Sequence, residues 1–263
     1  MPNAKDAKQD TNEKFLIIGN TGSGKTTLFS TLPGKKFAYL FDPNAINSLR
    51  GCDVDYEEFS PGTLSLSITS LAKGKGDNLQ KKVTSDIYNK WEADFEGKLA
   101  SGFFDPYQNI MFDSCTTLLD LIMDRVLTIN GRGGQWPQQD DYGPQMNTFS
   151  NIVRTVVGMG KTIVFTAHAE INKDELSGRI FTTPMMTGKL KGKMPLLFSE
   201  IYFAEAIGDS RGDVKYTVQT KPDRMNPLIR CTIPGLDFKQ DVTIDMSKPR
   251  EEQGLGAILK KRR

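Results

Sequence analysis

The sequence predicts an α/β domain: a mainly parallel central sheet flanked by helices, with antiparallel strands at one edge. Short apolar runs at 15–18, 37–41, 109–113 and 162–167 lead into Gly19, Asp42, Asp113-Ser114 and His168. Runs of that length without alternation suit strands buried on both faces. Helical periodicity separates them, and strands alternating with helices make a parallel sheet. The late stretches 214–220 and 228–233 alternate apolar with polar instead, which suits antiparallel edge strands.

The elements follow in order. Residues 1–14 are polar and charged and read as a disordered leader. The folded domain is expected over 15–240, with 241–263 as a C-terminal extension ending in the basic tail Lys260, Lys261, Arg262, Arg263. After the first strand a helix is expected over 26–32, stopped by Pro33 and Gly34. The second strand, 37–41, is followed by a poorly periodic stretch to residue 76. Val83, Ile87, Trp91 and Phe95 recur every fourth residue, which marks a helix with one buried face. The strand at 109–113 ends in an acid. Leu118, Leu119, Leu121, Ile122 and Val126 mark the next helix, which the glycine-rich 131–137 breaks. Met146, Phe149, Ile152, Val153, Val156 and Val157 form another helical face. Beyond 162–167 a polar, lysine-bearing segment runs to about 195, and 201–204 opens the final strands.

Composition limits the possibilities. A chain of 263 residues, 38% hydrophobic and 25% charged, can bury one substantial core. No run approaches the ~18 apolar residues of a membrane span, and the N-terminus lacks a signal peptide's apolar stretch. Cys52, Cys115 and Cys231 are odd in number and far apart, so neither a disulfide framework nor a zinc site is expected. The expected location is the cytoplasm. Setting aside the four terminal basic residues turns the net charge of +2 into −2, so any nucleic-acid surface must be local.

The chemistry begins at Gly19-Asn20-Thr21-Gly22-Ser23-Gly24-Lys25-Thr26, followed by Thr27. It fits G-x-x-x-x-G-K-[ST] and lies between a strand and a helix. Glycines let successive N–H groups turn toward phosphate oxygens, and the helix start adds a positive dipole. Lys25 is placed to reach β- and γ-phosphates, and the Thr26 hydroxyl to ligate Mg²⁺. The expected ligand is ATP with Mg²⁺.

Asp113, at the end of an apolar strand, is the expected second Mg²⁺ group, although Asp-Ser there would equally begin a helix. Many motors follow this aspartate with a glutamate that activates water; here the position is Ser114. His168 is the chain's one histidine and ends the 162–167 strand at the carboxyl edge where α/β sheets bind ligands. A γ-phosphate sensor is the reading that position favours over an ordinary packed histidine.

With these parts in order, the chain resembles RecA-like proteins, and specifically phage-encoded P-loop ATPases, some of which act as single-strand annealing recombinases. The resemblance covers about 15–235. It rests on the phosphate loop, on Asp113-Ser114 with Leu118, and on Thr166-Ala167-His168-Ala169-Glu170. Asp141-Tyr142-Gly143 and Thr220-Lys221-Pro222 also contribute. The resemblance implies a glutamate after the second strand to polarise water, but Asn44 stands there, and Asp42 is the substitute. It also implies two loops facing single-stranded DNA. The first, 131–137, offers Arg132 and the stackable Trp136; the second, within 169–195, offers Arg179, Lys189, Lys191 and Lys193. It further implies a homo-oligomer or filament, in the host cytoplasm if the chain is phage-encoded.

Other readings compete. A nucleotide kinase or packaging motor would drive different work, and a scaffold would bind ATP with little hydrolysis, for which Asn44 is the argument. Thr220-Lys221-Pro222-Asp223 resembles a guanine-reading motif, but no D-x-x-G switch accompanies it.

Overall fold

The computed structural model describes residues 12–61, 87–208, 210 and 212–262. Strand β1 (Lys14–Gly19) lies between β5 (Thr162–Lys173) and β7 (Glu200–Gly208), parallel to both. Outside β5 come β4 (Asn109–Asp113), β2 (Lys36–Leu40) and β3 (Asp55–Glu58), all parallel. Outside β7 come β8 (Val214–Gln219) and β9 (Lys239–Asp241), both antiparallel. With β6 (Ile180–Pro184) paired to the outer half of β5, the described residues form a nine-stranded sheet, mainly parallel with antiparallel edge strands.

Inside these apolar runs the twofold alternation of strands still sorts side chains. Phe15 and Ile17 face a cluster with Leu28 and Phe29 of α1 (Lys25–Phe29) and with Leu255 and Ile258 of α6 (Gly254–Lys260). Leu16 and Ile18 face the opposite cluster, which joins α2 (Ile87–Ala100), α3 (Cys115–Ile129) and α4 (Tyr142–Val157). The sheet is therefore covered on both faces, as parallel strands require. The β3 edge reads Asp55-Tyr56-Glu57-Glu58 and is exposed throughout. Its charges guard the open hydrogen-bonding groups against another strand.

Several boundaries differ from expectation. The first helix is the short α1, continued by turns to Leu32 rather than by full helix. Val83 lies outside the described residues, while Trp91 and Phe95 are buried in the core as the periodicity predicted. The run 228–233 is not a strand. It meets the sheet through one bridge, Ile201 to Arg230, and buries Ile229 and Ile233 without a ladder. The segment 169–195 is not one long loop: β5 runs on to Lys173, turns and returns as β6, and α5 (Leu190–Lys193) follows. Residues 241–262 pack back onto the domain. Thr31 Oγ1 accepts from the Leu255 N–H at 2.9 Å, and a Cβ on Gly256 would lie 2.4 Å from the Thr31 carbonyl oxygen, so α6 sits directly on the end of α1.

Candidate active site

The phosphate loop is shaped by close approach. A Cβ at Gly19 would lie 2.5 Å from the Ala204 carbonyl oxygen on β7 and 2.6 Å from Ser23 Oγ, so the turn out of β1 needs glycine. Gly22 and Gly24 hold φ of 78° and 83°, the left-handed region that favours glycine. Asn20 and Thr21 are exposed at the rim. Lys25 is buried, and its Nζ donates to the carbonyl oxygens of Gly19 and Asn20, both at 2.9 Å. Burial lowers its pKa, opposed by the charges of Asp113 and Asp42. Among the described residues Ser23 Oγ is buried without a partner. A bound phosphate would supply one, so the loop fits the triphosphate its sequence implies.

Strand β5 lies between β1 and β4, and that order brings Thr26, Thr166 and Asp113 together. Thr26 Oγ1 donates to Asp113 Oδ2 at 2.6 Å, and Thr166 Oγ1, from the intervening strand, donates to Asp113 Oδ1. Asp113 is 2% exposed. Burial pushes its pKa up, against the hydrogen bonds from Thr166 and Thr26, and the Asp42 charge adds to the rise. A buried carboxylate under that strain gains from a cation. Thr26 and Asp113 are the residues that could hold Mg²⁺, and Thr166 fixes the carboxylate from β5. Sequence reasoning did not assign Thr166 a role; its signal was a hydroxyl two residues before His168, on the same face of the strand.

Asp42 joins this group from the end of β2. The backbone N–H groups of Phe41 and Asp42 donate to the Asp113 carbonyl oxygen at 2.6 and 3.3 Å, tying the two strand ends together. Ser114 Oγ donates to Asp42 Oδ1 at 2.7 Å, and Thr117 Oγ1 donates to the same oxygen. His168 Nε2 donates to Asp42 Oδ2 at 3.1 Å. Burial resists ionisation of Asp42, but the bonds from His168, Thr117 and Ser114 outweigh it and hold the carboxyl below its usual range. The Thr116 hydroxyl accepts from the His168 backbone N–H at 3.2 Å and fixes the strand. Ser114 also caps α3, accepting from the Thr117 N–H at 3.4 Å, so its capping and site roles coexist. Asn44, by contrast, is exposed and begins the short 3₁₀ turn Ala45–Ser48 with φ of 63°.

Away from this centre, the basic residues are largely engaged. Arg132 pairs with fully buried Asp141. The Arg179 guanidinium donates to the Arg224 carbonyl oxygen at 2.9 Å and lies over the Phe181 ring. Lys191 pairs with Glu170 at 2.7 Å. Lys189 and Lys193 are exposed, and Trp136 is 91% exposed. In the C-terminal tail, Arg262 pairs with Glu13, Lys260 with Glu252 at 3.5 Å, and Lys261 Nζ donates to Gln240 at 3.1 Å. Among the described residues no helix is long and apolar enough to cross a membrane.

No curated protein matches the sequence. Among solved structures, the chain is similar to a prototypical ATPase from the type III secretion system of pathogenic bacteria, at 13% identity and a TM-score of 0.36. That alignment covers 74% of this chain and 52% of the other, so the chain spans about half the length of that ATPase. The profile of the AAA_24 family, described as an AAA domain, matches residues 11–227, which include the phosphate loop, Asp42, Asp113 and His168. The chain belongs to this AAA domain family and is a P-loop ATPase.

Proposed function

We propose that this domain hydrolyses ATP with Mg²⁺, Asp42 orienting the attacking water and His168 reporting the γ-phosphate, in the service of single-stranded DNA. One observation carries the hydrolytic part: a second carboxylate, Asp42, is fixed beside Asp113 by Ser114, Thr117 and His168. Mg²⁺, when bound, would neutralise phosphate charge as the bond to the leaving ADP breaks. Lys25 would balance charge on the β- and γ-phosphates. With a pKa below the usual range, Asp42 is a weak base, so its part is to accept a hydrogen bond from water and aim it. Phosphoryl transfer through a loose transition state asks mainly for such positioning. This placement argues against a scaffold that barely hydrolyses, because Asn44 is not the residue facing the site.

The single-stranded DNA reading, with recombination or annealing by a homo-oligomer or filament, is supported by exposed Trp136 and by exposed Lys189 and Lys193. His168 and Glu170 lie on the same side of β5, and Glu170 holds Lys191 of α5. That is a physical link from the phosphate site toward the basic edge. Asp42→Asn should bind ATP normally and lose on the order of 10²-fold in turnover, while Asn44→Ala hydrolyses like wild type. Wild-type turnover in Asp42→Asn would remove Asp42 from the reaction. Turnover measured with and without single-stranded DNA tests the partner; an unchanged rate would remove DNA as the activator.

A further inference from the structure

The two halves of the site ride on different elements. Lys25 and Thr26 open α1, and Asp42 follows the end of β2. Helix α1 is five residues long, and its N-cap, Gly24, makes no side-chain hydrogen bond. So short a helix takes its orientation from what packs on it. Here the 3₁₀ turn Arg250–Glu252, which leads into α6, grips the far end of α1. Arg250 Nη1 donates to Ser30 Oγ at 3.1 Å, and Ser30 Oγ donates to the Thr27 carbonyl oxygen at 2.7 Å. The Leu255 N–H donates to Thr31 Oγ1, which in turn donates to the Leu28 carbonyl oxygen at 2.6 Å. Both relays end on carbonyls directly after Lys25 and Thr26. Glu251 reaches the other way. Its Oε1 accepts from the Gly34 N–H at 3.3 Å and from Lys36 Nζ at 3.4 Å. Lys36 is buried at the start of β2, and its Nζ also donates to the Leu32 carbonyl oxygen at 2.9 Å. Adjacent residues 250 and 251 thus hold the two elements that carry opposite halves of the site. Gly256 closes the contact: a Cβ there would lie 2.4 Å from the carbonyl oxygens of both Thr31 and Glu251.

We propose that Arg250 and Glu251 are positioning residues for ATP hydrolysis. Arg250 sets α1 through Ser30, and Glu251 sets β2 through Lys36, so that Lys25, Thr26 and Asp42 meet the same triphosphate. This rests on the reading in which Asp42 orients the attacking water. Phosphoryl transfer depends on placing the attacking and leaving oxygens in line, so slack between α1 and β2 falls on turnover. Binding depends on the loop from Gly19 to Thr26, one continuous turn that such slack leaves intact. Arg250 is half-buried and Glu251 is exposed, so neither side chain fills the core.

Steady-state ATP hydrolysis, read beside melting temperatures, tests it. Arg250→Ala and Glu251→Ala should each lower kcat on the order of 10-fold, short of the ~10²-fold that a 1 Å misplacement costs. KM should stay that of wild type. Arg250→Lys keeps a donor for Ser30 and should restore most of kcat. Ser30→Ala should reproduce Arg250→Ala, and the double variant should lose no more than either, since both cut one relay. A lower melting temperature at wild-type kcat would make the segment purely structural and overturn the proposal. Additive losses in the Arg250–Ser30 cycle, or a raised KM at unchanged kcat, would overturn it too. Asp42→Asn separates the proposal from the reading beneath it. If Asp42→Asn loses turnover and the Arg250 and Glu251 variants do not, the positioning role alone falls. If Asp42→Asn turns over like wild type, the hydrolytic reading fails and the positioning role falls with it. Should Arg250→Ala not fold, Glu251→Gln decides, because it keeps an acceptor for Gly34 and removes the charge facing Lys36. A lower kcat at unchanged KM supports the role, and wild-type kcat overturns it.

Discussion

The phosphate site and the basic edge are built differently. In the first, Thr26 and Thr166 hold Asp113, and Ser114, Thr117 and His168 hold Asp42. Every functional group there is positioned by another on a different strand or helix. In the segments 131–137 and 187–193, Arg132 and Lys191 are tied to acids, and Trp136, Lys189 and Lys193 face solvent. The difference teaches where a sequence count misleads. Pre-organised polar groups in low dielectric act together, so single losses there should be large. Exposed cations act through screened, additive contacts, so single losses should be small.

Lys25→Ala should give the largest effect. It removes a buried ammonium that donates to the Gly19 and Asn20 carbonyl oxygens, so ATP binding and turnover should fall below detection while the far-ultraviolet circular dichroism is retained. A folded variant that binds ATP normally would mean the loop does not act through this lysine. Asp42→Asn, with its loss on the order of 10²-fold, comes next, and His168→Ala follows. Without the donor to Asp42 the carboxylate loses one of its anchors, and turnover should drop by roughly 10-fold or more with ADP affinity unchanged. If ATP and ADP states still differ as in wild type, by protease sensitivity for example, His168 is no sensor.

Arg132 sharpens the contrast because it looks like an edge residue and is built like a core one. Its partner Asp141 is fully buried and also accepts from Asn130 at 2.8 Å and from the Gln138 N–H at 2.7 Å. Arg132→Ala should leave that carboxylate short of its cation and lower the melting temperature. Any loss of DNA affinity should vanish once the folded fraction is matched. A stable variant with weakened DNA binding would return Arg132 to the contact surface.

Some of this was legible in the residues and some was not. Strand β4 and its terminal Asp113, the phosphate loop, and the faces of α3 and α4 follow from apolar period and motif spacing. The extension of β5 past His168 was hidden because residues 169–173 alternate outside the core, where the ladder to β6 replaces burial as the support. Residues 228–233 misled in the opposite sense: apolar alternation reports burial, and here burial came without strand pairing. The position of Asp42 at the site, and of Asn44 away from it, turned on direction. A chain reversal at Asn44 points it outward, whereas the Ser114 and Thr117 hydroxyls draw Asp42 in, and hydroxyls in a sequence carry no direction.

The smallest expected effects lie at the open edge, and they decide whether it is a surface for DNA at all. Lys189 and Lys193 begin and end a single helical turn, both exposed. Each that meets a phosphate should contribute about 0.7 to the slope of log affinity against log salt on single strands. Lys189→Ala and Lys193→Ala should therefore flatten that slope stepwise and equally for every sequence. Lys191→Ala should do less, because Glu170 already neutralises Lys191 at 2.7 Å. Trp136→Ala should leave the slope alone and cost about 1–3 kcal/mol of stacking. The ring is 91% exposed, so its removal carries no folding penalty to confuse the result. A fluorescence-anisotropy salt series on the four variants reads all of this at once. A flattened slope with a silent Trp136 change describes a sticky basic turn, and an unchanged slope in both lysine variants leaves the edge without a nucleic-acid role.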